Sequence, residues 1–254
     1  MSSSVFLAKT ATNAEWKAVS SAVKTLVEEA TFDSTSAGLT FRAMDPSHVA
    51  LVDLEWPNSA FERFECEKPF KFSLRVEDLV KLIGRSEAKD SVEISSAEED
   101  AIAVKFVNGY RREFTIHLIE STTATAPIPK LEFTTKATFT RAIFEKVLSD
   151  ISVVSDQVTI HAVKDKLSFS GKSDIGKAAI ELQKNDADVL DLKAEAEDKA
   201  TYSIDYLLSI SKALGGVVDT LQAEFSTKKP IRLEFKLNDQ GAKLAYFLAP
   251  RVSE

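Results

Sequence analysis

Few residue groups in this chain could do covalent chemistry, and each stops short of a motif. Gly171-Lys172-Ser173 has the ending of a phosphate-cradling loop. That motif needs another glycine five residues before Gly171, and the position is occupied by Lys166. His48, His117 and His161 are far apart, with no second ligand at metal-site spacing. The single cysteine, Cys66, excludes both an internal disulfide and a cysteine-built metal cluster, and it suits a reducing compartment. Glu98-Glu99-Asp100 gathers three carboxylates, the raw material of a hydrolytic acid/base pair. Its place between two predicted strands reads instead as a solvated hairpin tip. No Gly-x-Ser-x-Gly elbow occurs. The expectation is a binding protein with no active site, no metal and no cofactor.

Binding chemistry is better represented. Lys17 and Lys24, Lys81 and Arg85, Arg141 and Lys146, and Lys212 recur on the polar faces of four predicted helices. One such residue is an ordinary solubilising cation. A repeated set can hold phosphates through contacts that are salt-sensitive and blind to base sequence. The net charge of −7 and the pI near 5.2 oppose a nucleic-acid role unless the charge is segregated. A second group is apolar. Leu39 to Trp56 reads as two strands joined by Asp45-Pro46-Ser47. Alternation puts Leu39, Phe41 and Ala43, then Ala50, Val52, Leu54 and Trp56, on a core face. Met44, Val49 and Leu51 are left on the opposite face beside His48. Such a cluster is either a docking surface or a patch covered by another segment of the same chain.

The elements that must position these residues come in two similar runs. After a short strand from Val5, Thr12 and Glu15 fit a capping box. The helix that follows turns Trp16, Val19, Val23, Leu26, Val27 and Ala30 inward. Residues 76 to 85 read as a second helix with Leu79, Leu82 and Ile83 inward, followed by alternating strands. Small polar residues and Pro127-Ile128-Pro129 predict a linker over 119–131, dividing domains 1–118 and 132–254. The second domain repeats the first at a nearly constant offset: Thr138 after Thr12 as helix start, Ser203 after Ser73, and Ile231 after Ile102. The acidic run 185–199 reads as a solvated loop. The predicted class is α+β, with helices on one face of sheets. The amino terminus carries no signal-peptide pattern, and no stretch approaches a membrane span.

Two segments carry a family likeness: Ala43-Met44-Asp45-Pro46-Ser47-His48-Val49-Ala50-Leu51-Val52 and Leu244-Ala245-Tyr246-Phe247-Leu248-Ala249-Pro250. Both resemble the corresponding segments of the proliferating cell nuclear antigen family, the archaeal-type DNA sliding clamp, and the likeness runs nearly the whole length. The resemblance implies two topologically similar clamp domains per subunit. Three subunits would close a ring with helices inside and sheets outside. It implies sequence-independent binding of double-stranded DNA, with Lys17, Lys24, Lys81, Arg85, Arg141, Lys146 and Lys212 facing the channel. Ser149 stands where many members have a basic residue.

The resemblance further implies a pocket for partner peptides carrying a glutamine, an aliphatic residue and two aromatics. Met44, His48, Val49, Leu51, Ala126, Ile128, Pro129, Pro230, Phe247, Ala249 and Pro250 would build it. Polymerase, clamp loader, flap endonuclease and ligase would be the partners. Edge strands 112–119 and 175–182 would join subunits through Phe114, Ile116, Leu118, Ile175, Ala178 and Ile180. The location implied is cytoplasm and nucleoid in an archaeon, the nucleus in a eukaryote. A checkpoint-type clamp subunit, or a peptide-binding adaptor without DNA, shares many of these features.

Overall fold

One element order is written twice along the chain. The structure is a computed structural model and describes residues 5–97, 100–120 and 126–251. The carboxylates Glu98 and Glu99 lie outside the described residues. The first run is β1 (Phe6–Thr10), α1 (Ala14–Lys24), β2 (Glu29–Thr35), β3 (Gly38–Met44), β4 (Ala50–Pro57), β5 (Arg63–Cys66), β6 (Phe70–Arg75), α2 (Val76–Ile83), β7 (Ser91–Ser96), β8 (Ala101–Asn108) and β9 (Tyr110–His117). The second is β10 (Thr135–Thr140), α3 (Arg141–Ser152), β11 (Gln157–Val163), β12 (Lys166–Ser173), β13 (Gly176–Gln183), β14 (Val189–Ala194), β15 (Asp198–Ser203), α4 (Ile204–Ala213), β16 (Thr220–Phe225), β17 (Ile231–Lys236) and β18 (Lys243–Leu248).

Pairing repeats along with order. β1 lies between β5 and β7, all antiparallel, with Phe6 opposite Cys66 and Ala8 opposite Ile94. β10 lies between β14 and β16 in the same way, with Thr135 opposite Ala194 and Phe225. β2 is flanked by β3 and β6, and β11 by β12 and β15. Compactness divides the chain into two bodies. The first takes the chain to Pro46, then Val52–Pro127 and Lys236–Leu244; the second takes Ser47–Leu51, Ile128–Phe235 and the chain from Ala245. The division is therefore not linear in sequence, although the α+β class is as expected.

Within the first body, α1 buries Trp16, Val19 and Val23 at the 3.6-residue period. The expected capping box does not form. Asn13 stands at the N-cap, its amide donates to Ser86 Oγ at 2.8 Å, and Glu15 accepts from Asn238 Nδ2 at 2.7 Å. Tertiary partners have taken the side chains that local rules assign to the helix end. Ala30 lies in β2 and not in the helix. In the second body Thr140, rather than Thr138, caps α3, its hydroxyl accepting from Ile143 N at 3.3 Å. Thr138 belongs to β10. The acidic run 185–199 is not a loop throughout: β14 lies within it, with Val189 and Leu192 buried. β10 has two edges, and pairing with β14 fills one of them despite the surrounding charge.

Both cores bury aromatic rings, but only the first contains tryptophan. In the first body Trp16 and Trp56 lie 4.7 Å apart between ring centroids, and Phe32 stacks on Phe72 at 5.2 Å. Phe6, Phe61, Phe64 and Phe70 extend this cluster. Both indole Nε1 groups are buried without an acceptor, a cost of about 1–3 kcal/mol each. Aromatic burial offsets that cost, at roughly 25 cal/mol per Å² over ~200 Å² for each ring. The second body buries Phe139, Phe144, Phe169, Tyr202 and Tyr246 among aliphatic residues such as Val158, Ile160, Leu167, Ile204, Leu207 and Ile210, but holds no tryptophan.

A buried carboxylate ties the second body's sheets together. Asp198 is 3% exposed. Its Oδ2 accepts from the Thr134 and Thr135 hydroxyls at 2.6 and 2.7 Å; Oδ1 accepts from Thr227 N at 2.8 Å and Thr227 Oγ1 at 3.1 Å. Burial alone would raise its pKa, but these donors stabilise the ionised form and hold it below the ordinary value. A depressed pKa contributes stability that is fully present above the unfolded value, about 3.9, and is lost as pH falls through the folded one. Asp198→Asn should therefore cost about 1–3 kcal/mol at neutral pH. The gap from wild type should close below about pH 4, as measured by urea unfolding across a pH series. A gap that stays constant to pH 2.5 or so would remove the assignment.

Candidate functional site

The four helices carry the candidate cations, but not all of them are free. Lys24 and Lys212 are exposed, and neither forms an ion pair among the described residues. Lys81 is exposed and pairs with Glu77 one turn away at 2.8 Å; their hydrogen bond lowers the Glu77 pKa and raises that of Lys81. Lys146 pairs with Asp150 in the same geometry at 3.5 Å. Lys17 is half-buried, and its ammonium donates to the Ser86 carbonyl at 3.1 Å, just beyond the end of α2. Arg85 is exposed and lies past α2, its carbonyl accepting from Arg112 Nη1 at 2.9 Å.

Arg141 has a different occupation. Its Nε donates to Val218 O at 2.8 Å, its Nη1 pairs with Glu145, and Glu145 accepts from Ser211 Oγ at 2.8 Å. The guanidinium lies over Gly215, where an added Cβ would stand 3.1 Å from Nη1. Arg141 therefore lashes α3 to the end of α4. In total the four helices hold six basic residues (Lys17, Lys24, Lys81, Arg141, Lys146, Lys212) and six acidic ones (Glu15, Glu77, Asp78, Glu145, Asp150, Asp205). They are neutral within a chain of −7. Charge is segregated relative to the rest of the surface, without a strongly positive face.

The apolar cluster expected beside the β3–β4 turn is mostly covered. Leu51 is 2% exposed and Phe247 6%, against 37% for Val49. β4 and β18 are buried along nearly their whole length, on both faces, so alternation does not identify an outer side. The Arg232 guanidinium sits 6.0 Å from the centre of the Phe247 ring, and is itself held by Glu224 and Glu234. His48 is exposed with φ 58°, the left-handed conformation of a tight turn. Met44, Ala126, Pro129 and Pro230 are half-buried, and Ile128 is exposed.

What the second body does present is a groove of about 200 Å³. From the expected set it takes Val49, Ala249 and Pro250, and it adds Ser203, Tyr206 and Leu248. Ala249 N donates to Val49 O at 2.8 Å, which fixes the C-terminal segment beside the turn. Ser203 and Tyr206 come from the end of β15 and the first turn of α4. Their types carry no binding signal, and only the topology brings them here. Apolar side chains alternate in this lining with hydroxyls and the Arg251 side chain, a mixture suited to an extended peptide with apolar anchors and a polar group.

Two strands carry the candidate edges. Among the described residues β9 has one neighbour, β8, and β13 has one, β12. Both show strict alternation along most of their length. Phe114 and Ile116 on β9, and Ala178 and Ile180 on β13, are half-buried between exposed neighbours. Leu118 lies just past β9; Ile175, in the turn before β13, is 78% exposed.

The chain as a whole has counterparts among known proteins. Sequence models of the N-terminal and C-terminal domains of proliferating cell nuclear antigen match residues 5–121 and 127–251. A DNA polymerase sliding clamp of Cenarchaeum symbiosum is 45% identical over 248 residues, covering 98% of this chain and 99% of its own. One from Nitrosopumilus maritimus is 43% identical over 247 residues, covering 97% and 98%. The crystal structure of PCNA from Thermococcus kodakaraensis superposes with a TM-score of 0.92 at 23% identity, over 97% of this chain and all of the other, and so shares the fold. With both halves matched by the family's two domains, this chain belongs to the proliferating cell nuclear antigen family of DNA polymerase sliding clamps.

Proposed function

We propose that the chain is one subunit of a ring that encircles duplex DNA and tethers replication enzymes to it, without chemistry of its own. The observation that carries this reading is the duplicated fold, which leaves β9 free along one edge of the first body and β13 along one edge of the second. Free edges invite strand pairing. Two different edges on one chain favour head-to-tail joining, and a heterologous contact of that kind makes a ring when the rotation between subunits closes. Three subunits of two bodies each would give a sixfold repeat of helix pairs around the duplex. Polymerase, clamp loader, flap endonuclease and ligase would dock by peptides in the groove at Val49. Among the described residues no helix is long and apolar enough to cross a membrane.

Assembly is tested at β13. Ile180→Pro removes a backbone donor and should convert the ring to monomers with unchanged far-UV circular dichroism. Light scattering at micromolar concentration should give a trimer mass for the wild type and a single-chain mass for the variant. A monomeric wild type removes the ring.

Attraction to DNA rests on the exposed cations. The triple variant Lys24→Glu, Lys81→Glu, Lys212→Glu should remain trimeric yet lose retention on nicked circular DNA. Its logarithmic salt dependence should be shallower by about one for each phosphate that is no longer neutralised. Unchanged retention and slope would place the DNA elsewhere.

The groove is tested with a peptide bearing a glutamine, an aliphatic residue and two aromatics. Leu51 and Phe247 are poor probes because both are buried within the subunit. Val49→Asp acts at the exposed rim and should weaken binding about 30-fold, the loss of one interface hot spot of roughly 2 kcal/mol. Calorimetric titration at constant trimer mass measures it, and equal affinity would reject the groove.

A further inference from the structure

Beside the groove, across the C-terminal segment, lies a second and larger cavity of about 360 Å³. Lys199, Thr201, Thr227, Lys228, Pro250 and Arg251 line it. Pro250 and Arg251 also line the groove, so the two hollows share one wall. The lining carries three cations and no carboxylate, in a chain whose net charge is −7. None of Lys199, Lys228 and Arg251 forms an ion pair among the described residues, although seventeen lysine or arginine pairs with carboxylates are made elsewhere among them.

The backbone beneath these cations is fixed. Arg251 N donates to Thr201 O at 2.7 Å, seating the segment against β15. Lys199 N donates to Thr227 Oγ1 at 3.0 Å, and Thr227 is held in turn by the buried Asp198. The next residue, Lys228, is set at φ 58°, a conformation that non-glycine residues seldom adopt without such support. Asp198 has both oxygens engaged inside the body and makes no ion pair with these cations among the described residues.

We infer that this cavity receives acidic side chains of the partner peptide, from residues flanking those that fill the groove. The inference rests on the groove being a peptide site and adds to it a charge rule for partner choice. Carboxylates entering the cavity would meet three cations that form no ion pair among the described residues, while the hydroxyls of Thr201 and Thr227 stay engaged with Thr159 and Asp198. A concave hollow that shares a wall with the groove suits side chains of one extended peptide. Duplex DNA, the other anionic partner, requires an extended face and gains nothing from a hollow beside the groove. Because the cations are exposed, their main effect is on selectivity and association rate, and it is screened by salt.

Fluorescence anisotropy with the intact protein tests this, using three labelled peptides that share the groove motif. One carries three glutamates before the motif, one carries three after it, and one carries glutamine at all six positions. One of the acidic peptides should bind about 10-fold more tightly than the glutamine peptide at about 50 mM salt, and the advantage should vanish near 0.5 M. Lys199→Gln with Lys228→Gln should abolish the advantage and leave the glutamine peptide's affinity unchanged. If the glutamine peptide binds but neither acidic peptide gains, or the gain survives the double substitution, the cavity is not an acidic subsite. If no peptide binds, the groove reading falls and the inference falls with it. If the double substitution weakens retention on nicked circular DNA while leaving the peptide gain intact, the cations serve DNA and the inference is overturned.

Discussion

A strand with one bare edge is the constraint on which the rest of this molecule depends. Each backbone N–H and C=O along β9 and β13 needs a partner or water, and the fold supplies partners on one side only. β1 and β10 take neighbours on both sides, as do β2 and β11, while β9 and β13 end their sheets, as β5, β6, β14 and β15 also do. The half-buried apolar residues Phe114, Ile116, Ala178 and Ile180 lie along those strands. Monomeric proteins commonly blunt such edges with charge or proline. Here both edges alternate apolar and polar residues, a pattern that fixes register for an incoming strand.

The helices answer a different requirement. A protein that moves along DNA must attract it without gripping it. On the proposed reading, equal numbers of acids and bases on the four helices, with Lys24 and Lys212 in no ion pair among the described residues, would give a weak and diffuse attraction. Lys17 and Arg141 are partly withdrawn from it, because each donates to backbone carbonyls that its own body leaves open near a helix end. The same residue type therefore does two jobs here, and only the tertiary neighbours say which.

That distinction marks how far the sequence could be read. The α+β class, the internal duplication and the family were legible, because they rest on patterns many residues long, such as the hairpin from Leu39 to Trp56. Single positions were less so. Thr12 with Glu15 had the spacing of a capping box, and Asn238, 223 residues further on, captured the glutamate. Val189 and Leu192 were hidden in an acidic stretch, because strand pairing with β10 outweighs local composition. Leu51 and Phe247 were assigned to an outer face by an alternation rule that assumes one face is wet, and β4 and β18 have no wet face over most of their length. Ser203 and Tyr206 had no signal at all: their role in the groove exists only once α4 is seated beside the C-terminal segment.

The unequal cores have an optical consequence. Both tryptophans of the chain, Trp16 and Trp56, lie in the first body, buried and within 4.7 Å of each other. Indole emission therefore reports on the first half alone, and the second half melts or refolds without a tryptophan signal of its own. Two halves with one topology, one holding both tryptophans and one holding none, become separately observable in a single unmodified chain. Fluorescence follows one of them, while far-UV circular dichroism follows both.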